Sequence, residues 1–230
     1  MKCGGTHYHL RTVPTISFTV AAILVFALAA GSAQEAVRSF DQDPLGAVPP
    51  GFSFAVARLP AAPGRWHVRA DNGNRFLAHT PDAAAGEGFA IALVEGAAAG
   101  DVRLSARVRL EDGVRTGGLV WRYNGPDNFY AVALDLDAQA IALYRISRGN
   151  RIRLEFEDDL ELDRSAWHTV RVEHVEGRIR VTLGGIGVMR ARAGDTDSAE
   201  GRAGVWSAGN AATAFDDVSV GPAERDRDRR

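Results

Sequence analysis

The sequence predicts an all-β protein, a two-sheet antiparallel jelly-roll sandwich preceded by an N-terminal signal segment. Short segments in which apolar and polar residues alternate recur along the chain, and this period of two is that of strands. Turns rich in Gly, Asn and Asp separate the segments, a spacing typical of sandwiches and barrels. No convincing amphipathic helix follows the N-terminal segment. We expect one sheet to present an open, concave outer face.

Residues 1–33 are predicted to be an export signal. Lys2 and Arg11 charge the front of this segment, Ile16–Ala30 is apolar, and the small residues 31–33 suit cleavage. The apolar run is shorter than the roughly 20 residues that cross a bilayer comfortably. We therefore expect a periplasmic or secreted protein, and an uncleaved membrane anchor is the alternative.

The rest of the chain is predicted to contain a single folded domain. Residues 34–50 include three prolines and are predicted to form a linker, and residues 51–221 are predicted to form the sandwich. The charged residues 222–230 are predicted to form a disordered tail. A domain of this length is within the usual range of about 100–200 residues.

The composition excludes several kinds of function. Cys3, inside the predicted signal, is the only cysteine, so the mature chain is expected to have no disulfide, thiolate metal site or cysteine nucleophile. Without residues 1–33, 25 basic and 29 acidic residues remain, a net charge of −4. This balance argues against nucleic acid as a main partner. Contact with a membrane is expected only if the N-terminal segment stays uncleaved.

Turn dipeptides and alternation locate the individual strands. Asn72-Gly73, within the hairpin candidate Trp66–Ala78, is favoured where both turn residues need a positive φ. Val102–Leu110 alternates strictly between apolar and polar residues, and a second hairpin is predicted around Glu176-Gly177. The other predicted strands are Phe52–Val56, Phe89–Val94, Leu119–Tyr123, Phe129–Leu136, Ala140–Ile146, Ile152–Phe156, Ala203–Ser207 and Ala214–Val220.

The alternation also assigns side chains to the two faces of each strand. The residues of three predicted strands that are expected to face the core are Leu119, Trp121, Tyr123, Tyr130, Val132, Leu134, Leu136, Ile152, Leu154 and Phe156. Arg122 has the opposite parity, so we expect it to point away from the core. His174 shares the parity of Val170 and Val172 and is predicted to be a hydrogen-bonded histidine at the edge of the core.

Short motifs occur in an order that resembles a known group of proteins. They are Gly118–Tyr123, Asp127–Tyr130, Leu143-Tyr144 with Arg151, Trp167–Val172, Gly204–Trp206 and Phe215–Val218. Their order resembles that of the laminin-G-like, concanavalin A-like lectin and glucanase sandwiches, over roughly residues 40–220. Within that superfamily the sequence is most similar to the bacterial exported 3-keto-disaccharide hydrolase domain.

The resemblance implies a jelly roll and a role that faces carbohydrate, and many such domains are non-catalytic modules. Members of the hydrolase family often carry an arginine where this chain has Ala133, so the concave face is expected to lack one polar contact. Glucanases of the superfamily use Glu-x-Asp-x-x-Glu on one strand, and Glu157–Glu161 does not have that spacing. We interpret these carboxylates as a solvated acidic edge that deters strand pairing.

Five residues are candidates for contact with sugar: Arg122, Asn128, Tyr144, Arg145 and Trp206. A guanidinium can donate paired hydrogen bonds to hydroxyls or to a carboxylate, and the apolar face of a sugar stacks well on an exposed indole. Two alternatives stay open. Arg122 could instead bridge to the turn 124–128, and Trp206 could be an ordinary core tryptophan.

Asp216 and Asp217 are candidate ligands for a structural calcium ion. Terminal strands of jelly rolls often pair, which would bring this pair close to Asp41 and Asp43. Carboxylate oxygens suit Ca²⁺. Sugar-binding sandwiches of the resembling superfamily also hold a structural calcium near such an Asp pair. No other cofactor is predicted.

The leading functional hypothesis is an exported glycan-binding module that is not catalytic. One alternative is a glycoside hydrolase acting on 3-keto-disaccharides or related glycosides, and another is a structural or partner-binding envelope protein. Two carboxylates converging beside the concave face would favour the hydrolase. An exposed apolar patch larger than about 600 Å² would favour the envelope protein.

Overall fold

The computed structural model describes residues 1, 36–58, 64–82, 86, 88–113, 116–193 and 200–223. Apart from Met1, the predicted signal lies outside these residues, as does most of the predicted tail. Within the described part of the chain there are only strands and turns, and no helix is long and apolar enough to cross a bilayer. The strands are β1 Ala36–Arg38, β2 Phe52–Ala57, β3 Arg65–Asp71, β4 Asn74–Thr80, β5 Phe89–Ala99, β6 Val102–Gly113, β7 Thr116–Tyr123, β8 Phe129–Asp135, β9 Ala140–Ser147, β10 Asn150–Glu157, β11 His168–Val175, β12 Arg178–Leu183, β13 Ile186–Arg192, β14 Gly201–Ala208 and β15 Ala211–Pro222.

The strands form two antiparallel sheets that pack as a sandwich. The eight-stranded sheet has the order β13-β12-β11-β6-β15-β4-β3, with β1 added beside β15. The seven-stranded sheet has the order β10-β9-β8-β7-β14-β5-β2. The all-β prediction and the two-sheet antiparallel arrangement are therefore confirmed.

The main core lies between the two sheets. Leu104 and Val108 of β6 are fully buried there, as are Val132 and Leu134 of β8, so the predicted inward rows of these two strands are correct. Burying one such aliphatic side chain stabilises the fold by about 1.5–3 kcal/mol relative to leaving it exposed.

A second buried layer covers the outer face of the seven-stranded sheet. Ile91 of β5, Val120 of β7 and Phe129 of β8 have no exposed surface there, and Trp206 of β14 is almost fully buried. These side chains lie on the opposite face of the sheet from the main core. The outer face therefore begins as an apolar surface, on which any binding site must be built.

Two tight turns have the geometry that their sequences predict. Asn72 and Gly73 have φ values of 51° and 84°, and Glu176 and Gly177 have values of 48° and 74°. Two consecutive positive φ angles match the right-handed twist of a two-residue hairpin. The hairpins β3–β4 and β11–β12 are thereby fixed in register.

Two elements were missed by the sequence patterns. Within the predicted linker, Ala36–Arg38 pairs with β15, and Phe40 is buried 5.7 Å from the ring of Phe52. After the turn at Gly184-Gly185, the strand Ile186–Arg192 pairs with β12 at the edge of the eight-stranded sheet. Both strands are short or glycine-rich, so their apolar alternation is weak.

Candidate functional site

A cleft of about 320 Å³ opens on the outer face of the seven-stranded sheet. Its residues come from β5, β7, β8, β9, β10 and β14 and from the chain segments beside these strands and β2. The cleft thus lies above the second apolar layer.

Small side chains form the floor of the cleft. Ala133 of β8, Ala142 of β9 and Ala208 of β14 all line it, and each contributes only a methyl group. Ala133 is the position at which the resembling hydrolase family often carries an arginine. Because the side chain of Ala133 is short, it leaves open space above the middle of the sheet. A methyl group cannot supply the polar contact that an arginine would make there.

Trp206 completes the floor from below. It pairs in register with Gly118 of β7, and its Nε1 donates a hydrogen bond of 2.9 Å to the carbonyl oxygen of Val132 on the strand beyond. The indole can cross β7 because Gly118 has no side chain there. Its ring also packs 4.3 Å from that of Phe89. With 4% exposure, Trp206 supports the cleft and does not form an exposed platform.

The exposed aromatic surface of the cleft comes instead from Phe156, together with the half-buried Tyr144. Phe156 is 41% exposed. The guanidinium of Arg151 lies 5.0 Å from the centre of the Tyr144 ring, and that of Arg153 lies 4.8 Å from the centre of the Phe156 ring. These cation–π contacts hold both rings in place at the edge of the sheet.

A β-bulge turns Phe156 toward the cleft. Arg153 is paired with Tyr144, but Glu155 is paired with Leu143, so β10 carries one residue more than β9 at this point. An extra residue reverses the alternation of all residues that follow it. The prediction that Phe156 points inward is therefore wrong, and strict period-two reasoning missed the most exposed aromatic ring of the site.

Polar groups stand around these rings. Arg58 and Arg151 line the cleft, and Nη1 of Arg58 donates to the carbonyl oxygen of Gly149 at 3.3 Å. Oδ1 of Asn210, also in the lining, is buried and has no hydrogen-bond partner in the described part of the chain. The cleft therefore offers guanidinium groups as hydrogen-bond donors.

Asp135 is the carboxylate among the described lining residues. Its Oδ1 accepts hydrogen bonds from the backbone N–H groups of Asp137 (3.0 Å) and Ala138 (2.9 Å). These bonds close the turn that leads into β9. The carboxylate thus has a structural use at the rim of the cleft.

Arg122 lies away from the cleft. Its Nε donates to the carbonyl oxygen of Gly100 at 2.8 Å, and Nη2 lies 4.0 Å from Oδ1 of Asp101. Only 11% of its side chain is exposed, and this burial lowers the pKa of the guanidinium while Asp101 opposes the shift. It bridges to the β5–β6 turn and not to the turn 124–128 of its own hairpin.

A bulge again explains the difference. β7 gains one residue relative to β14 between Val120 and Tyr123, and Arg122 has a φ of 49°. Tyr123 consequently lies on the outer face, with its ring 5.6 Å from that of Phe129. The predicted inward position of Tyr123 is wrong for this reason, as is the predicted outward position of Arg122.

Asn128 and Arg145 do not line the cleft either. Oδ1 of Asn128 accepts a hydrogen bond of 3.1 Å from the backbone N–H of Arg148, which joins the β7–β8 and β9–β10 turns. Arg145 is paired with Tyr130 and follows Tyr144 directly, so it lies on the opposite face of β9. Of the five predicted sugar-contact residues, the structure places Tyr144 and Trp206 in the cleft.

Asp216 and Asp217 both contact an arginine. Asp216 is 1% exposed and accepts hydrogen bonds from Nδ2 of Asn74 (3.0 Å) and Nη1 of Arg107 (3.3 Å). Oδ2 of Asp217 lies 3.5 Å from the same Nη1. Burial raises the pKa of Asp216. Within the described residues, no group of three His, Cys, Asp or Glu side chains is placed to hold a metal ion, and the calcium site stays a prediction.

Comparison with known proteins places this geometry in context. No protein-family model matches the chain, and no curated protein matches it by sequence. A carbohydrate-binding module, CBM66, from Bacillus subtilis matches the structure with a TM-score of 0.57 and 16% identity, over 73% of this chain and 94% of that one.

Two further solved structures have the same architecture. A prokaryotic β-1,3-1,4-glucanase (lichenase) from a mouse hindgut metagenome has a TM-score of 0.56 and 14% identity, over 82% of this chain and 99% of that one. Domain 4 of the arabinanase AbnA from Geobacillus stearothermophilus, in complex with arabinotriose, has a TM-score of 0.55 and 11% identity, over 84% of this chain and 94% of that one. The chain shares the two-sheet β-sandwich fold of these proteins. At these identities the likeness establishes the fold alone, and the resemblance to the 3-keto-disaccharide hydrolase domain stays a prediction.

Proposed function

We propose that this protein binds a carbohydrate in the cleft on the outer face of the seven-stranded sheet. The observation that carries the proposal is the exposed ring of Phe156 standing beside Tyr144 and Arg151, above a floor of alanines. The C–H face of a sugar ring stacks on aromatic carbon, and guanidinium N–H groups donate to its hydroxyls. The cleft combines aromatic and aliphatic carbon with polar groups, and small-ligand sites use such polar groups to fix the orientation of the ligand.

The sandwiches that share this fold support the same function. One of them is a carbohydrate-binding module, and another is a domain in complex with arabinotriose. The export signal predicted from residues 1–33 would place the cleft in the periplasm or outside the cell, where polysaccharides are accessible. We propose a binding module and not a hydrolase. Hydrolysis needs two carboxylates about 5–9.5 Å apart, whereas the described lining contains one carboxylate, that of Asp135.

We expect the substitution of Phe156 to weaken glycan binding. Replacing it with alanine removes the exposed stacking surface, so we expect about a tenfold loss of affinity for the bound glycan, or roughly 1.4 kcal/mol. A glycan array with the full chain identifies the ligand, and isothermal titration calorimetry measures the affinities of the wild-type and Phe156→Ala proteins. The melting temperature should change little because the ring is half in solvent.

Phe54→Ala is the matched control. Phe54 is 38% exposed, similar to Phe156, but it lies on β2 against Trp66 and does not line the cleft. We expect this variant to bind like the wild type. The proposal fails if the folded wild-type chain binds no glycan on the array, or if Phe54→Ala weakens binding as much as Phe156→Ala does.

A further inference from the structure

Five exposed arginines lie together on the outer face of the eight-stranded sheet, at its β11–β13 end. They are Arg171 of β11, Arg178 and Arg180 of β12, and Arg190 and Arg192 of β13. We call this set the arginine face. The residues that alternate with them, such as Val172, Ile179 and Val181, are buried in the main core. The arginine face is therefore on the other side of the sandwich from the cleft.

The strand register sets these charges directly against one another. Arg180 is paired with Arg190, and Arg178 is paired with Arg192. Side chains opposite each other on antiparallel strands have Cβ atoms about 4.5–5.5 Å apart, and like charges in such pairs are destabilising. The sheet thus carries two repulsive pairs side by side.

The acidic groups that the structure describes near the arginine face do not pair with its arginines. Glu173 is the cross-strand neighbour of Arg180, but its Oε1 lies 3.1 Å from Nε of Arg103 on the other side. Glu176 lies in the β11–β12 turn, beside Arg178. None of the five arginines forms an ion pair with another residue that the structure describes. A chain of net charge −2 therefore concentrates unpaired positive charge on one surface.

We propose that the arginine face binds a linear acidic polysaccharide through its carboxylate or sulfate groups. Guanidinium groups bind such oxyanions through two parallel hydrogen bonds. The outward side chains form a grid spaced about 5 Å between strands and about 7 Å along them, which suits a polymer whose charge recurs at every one or two sugar rings. Bound anions would also relieve the repulsion within the two arginine pairs.

Two other kinds of polyanion fit this surface less well. Residues 168–192 include no Phe, Tyr or Trp, so nucleic-acid bases would have no aromatic ring to stack on. Ile186 is the large apolar side chain exposed on this hairpin, within the described part of the chain. Peripheral binding to a membrane draws on a larger buried apolar area.

Dextran sulfate and neutral dextran provide a direct test, because they share one backbone and differ in charge. We expect the full chain to bind dextran sulfate, and polygalacturonate as a carboxylate polymer, but not dextran. In Arg180→Gln/Arg190→Gln, affinity for dextran sulfate should fall at least about tenfold, and the slope of log affinity against log salt should fall by about two. The melting temperature should not fall, since a like-charge pair has been removed.

Arg148→Gln/Arg164→Gln is the control, because it removes the same charge from two exposed positions elsewhere and should keep the wild-type affinity. Equal loss in both double variants would overturn the proposal, as would equal binding of neutral dextran. Tighter binding of a DNA duplex, or of vesicles with equal parts of phosphatidylcholine and phosphatidylserine, would overturn the assignment of a polysaccharide. Phe156→Ala should not alter dextran sulfate binding, so this test stands apart from that of the cleft.

Discussion

We expect the His174→Asn protein to lose much less stability in mild acid than the wild-type protein does. His174 is fully buried, and its Nδ1 accepts a hydrogen bond of 3.0 Å from Nε1 of Trp121. Burial, together with the charge of Arg122, lowers the pKa of this imidazole to about 3, and Asp101 opposes the shift. Asparagine keeps an acceptor for Trp121 but cannot take up a proton.

The sign of this pH dependence follows from the numbers of protons that the folded and unfolded states bind. Below its ordinary pKa of 6.5 the imidazole binds a proton in the unfolded chain, but in the folded protein it does so only near pH 3. The unfolded state therefore holds more protons in this window, so the free energy of unfolding rises with pH and falls as acid is added. Between pH 6.5 and pH 4 this one group accounts for about 3 kcal/mol.

Urea denaturation at several pH values measures the effect. The free energy of unfolding of the wild type should fall more steeply from pH 6.5 to pH 4 than that of His174→Asn. Parallel profiles for the wild type and His174→Asn would show that the buried imidazole does not control acid stability.

Gly204→Ala should strongly destabilise the fold. Gly204 lies in β14, between β5 and β7, and a Cβ atom there would lie 2.0 Å from the carbonyl oxygen of Ala92 and 2.8 Å from Cα of Leu93. Both are backbone atoms of a central strand, so neither can rotate away. Overpacking of a core typically costs about 1–3 kcal/mol, and we expect the upper end here, or about 10 °C in melting temperature.

Gly187→Ala is the matched control for this prediction. Gly187 is a strand glycine of β13, and a Cβ atom there would meet no other atom within 4 Å. The melting temperature of Gly187→Ala should stay near that of the wild type. Thermal unfolding followed by circular dichroism measures the melting temperatures of both variants. Similar melting temperatures would mean that β14 and β5 can move apart to accept the new methyl group without loss of stability.

The fold was predictable because its signals are local. Strict alternation identified β6, and the dipeptides Asn72-Gly73 and Glu176-Gly177 identified two hairpins with the observed positive φ angles. Each of these signals depends only on neighbouring residues. The predicted position of His174 at the core is confirmed for the same reason, because β11 is regular from Val170 onward.

The site was harder to predict because bulges interrupt its strands. One extra residue near Arg122 reversed the faces assigned to Arg122 and Tyr123, and another between Arg153 and Glu155 reversed that of Phe156. Alternation alone does not reveal where an extra residue lies, since that depends on pairing with a neighbouring strand. A positive φ at a non-glycine residue such as Arg122 is visible only in three dimensions.

The bulge in β10 has a consequence for how the surface of this protein can diverge. One unpaired residue decides whether Phe156 points to solvent or to the interior. Deleting a single codon in this edge strand would therefore exchange the outward-facing and inward-facing side chains that follow the bulge. The other strands of the seven-stranded sheet would be unaltered. The side chains presented at this rim can therefore change through small insertions and deletions, while the residues that stabilise the sandwich stay as they are.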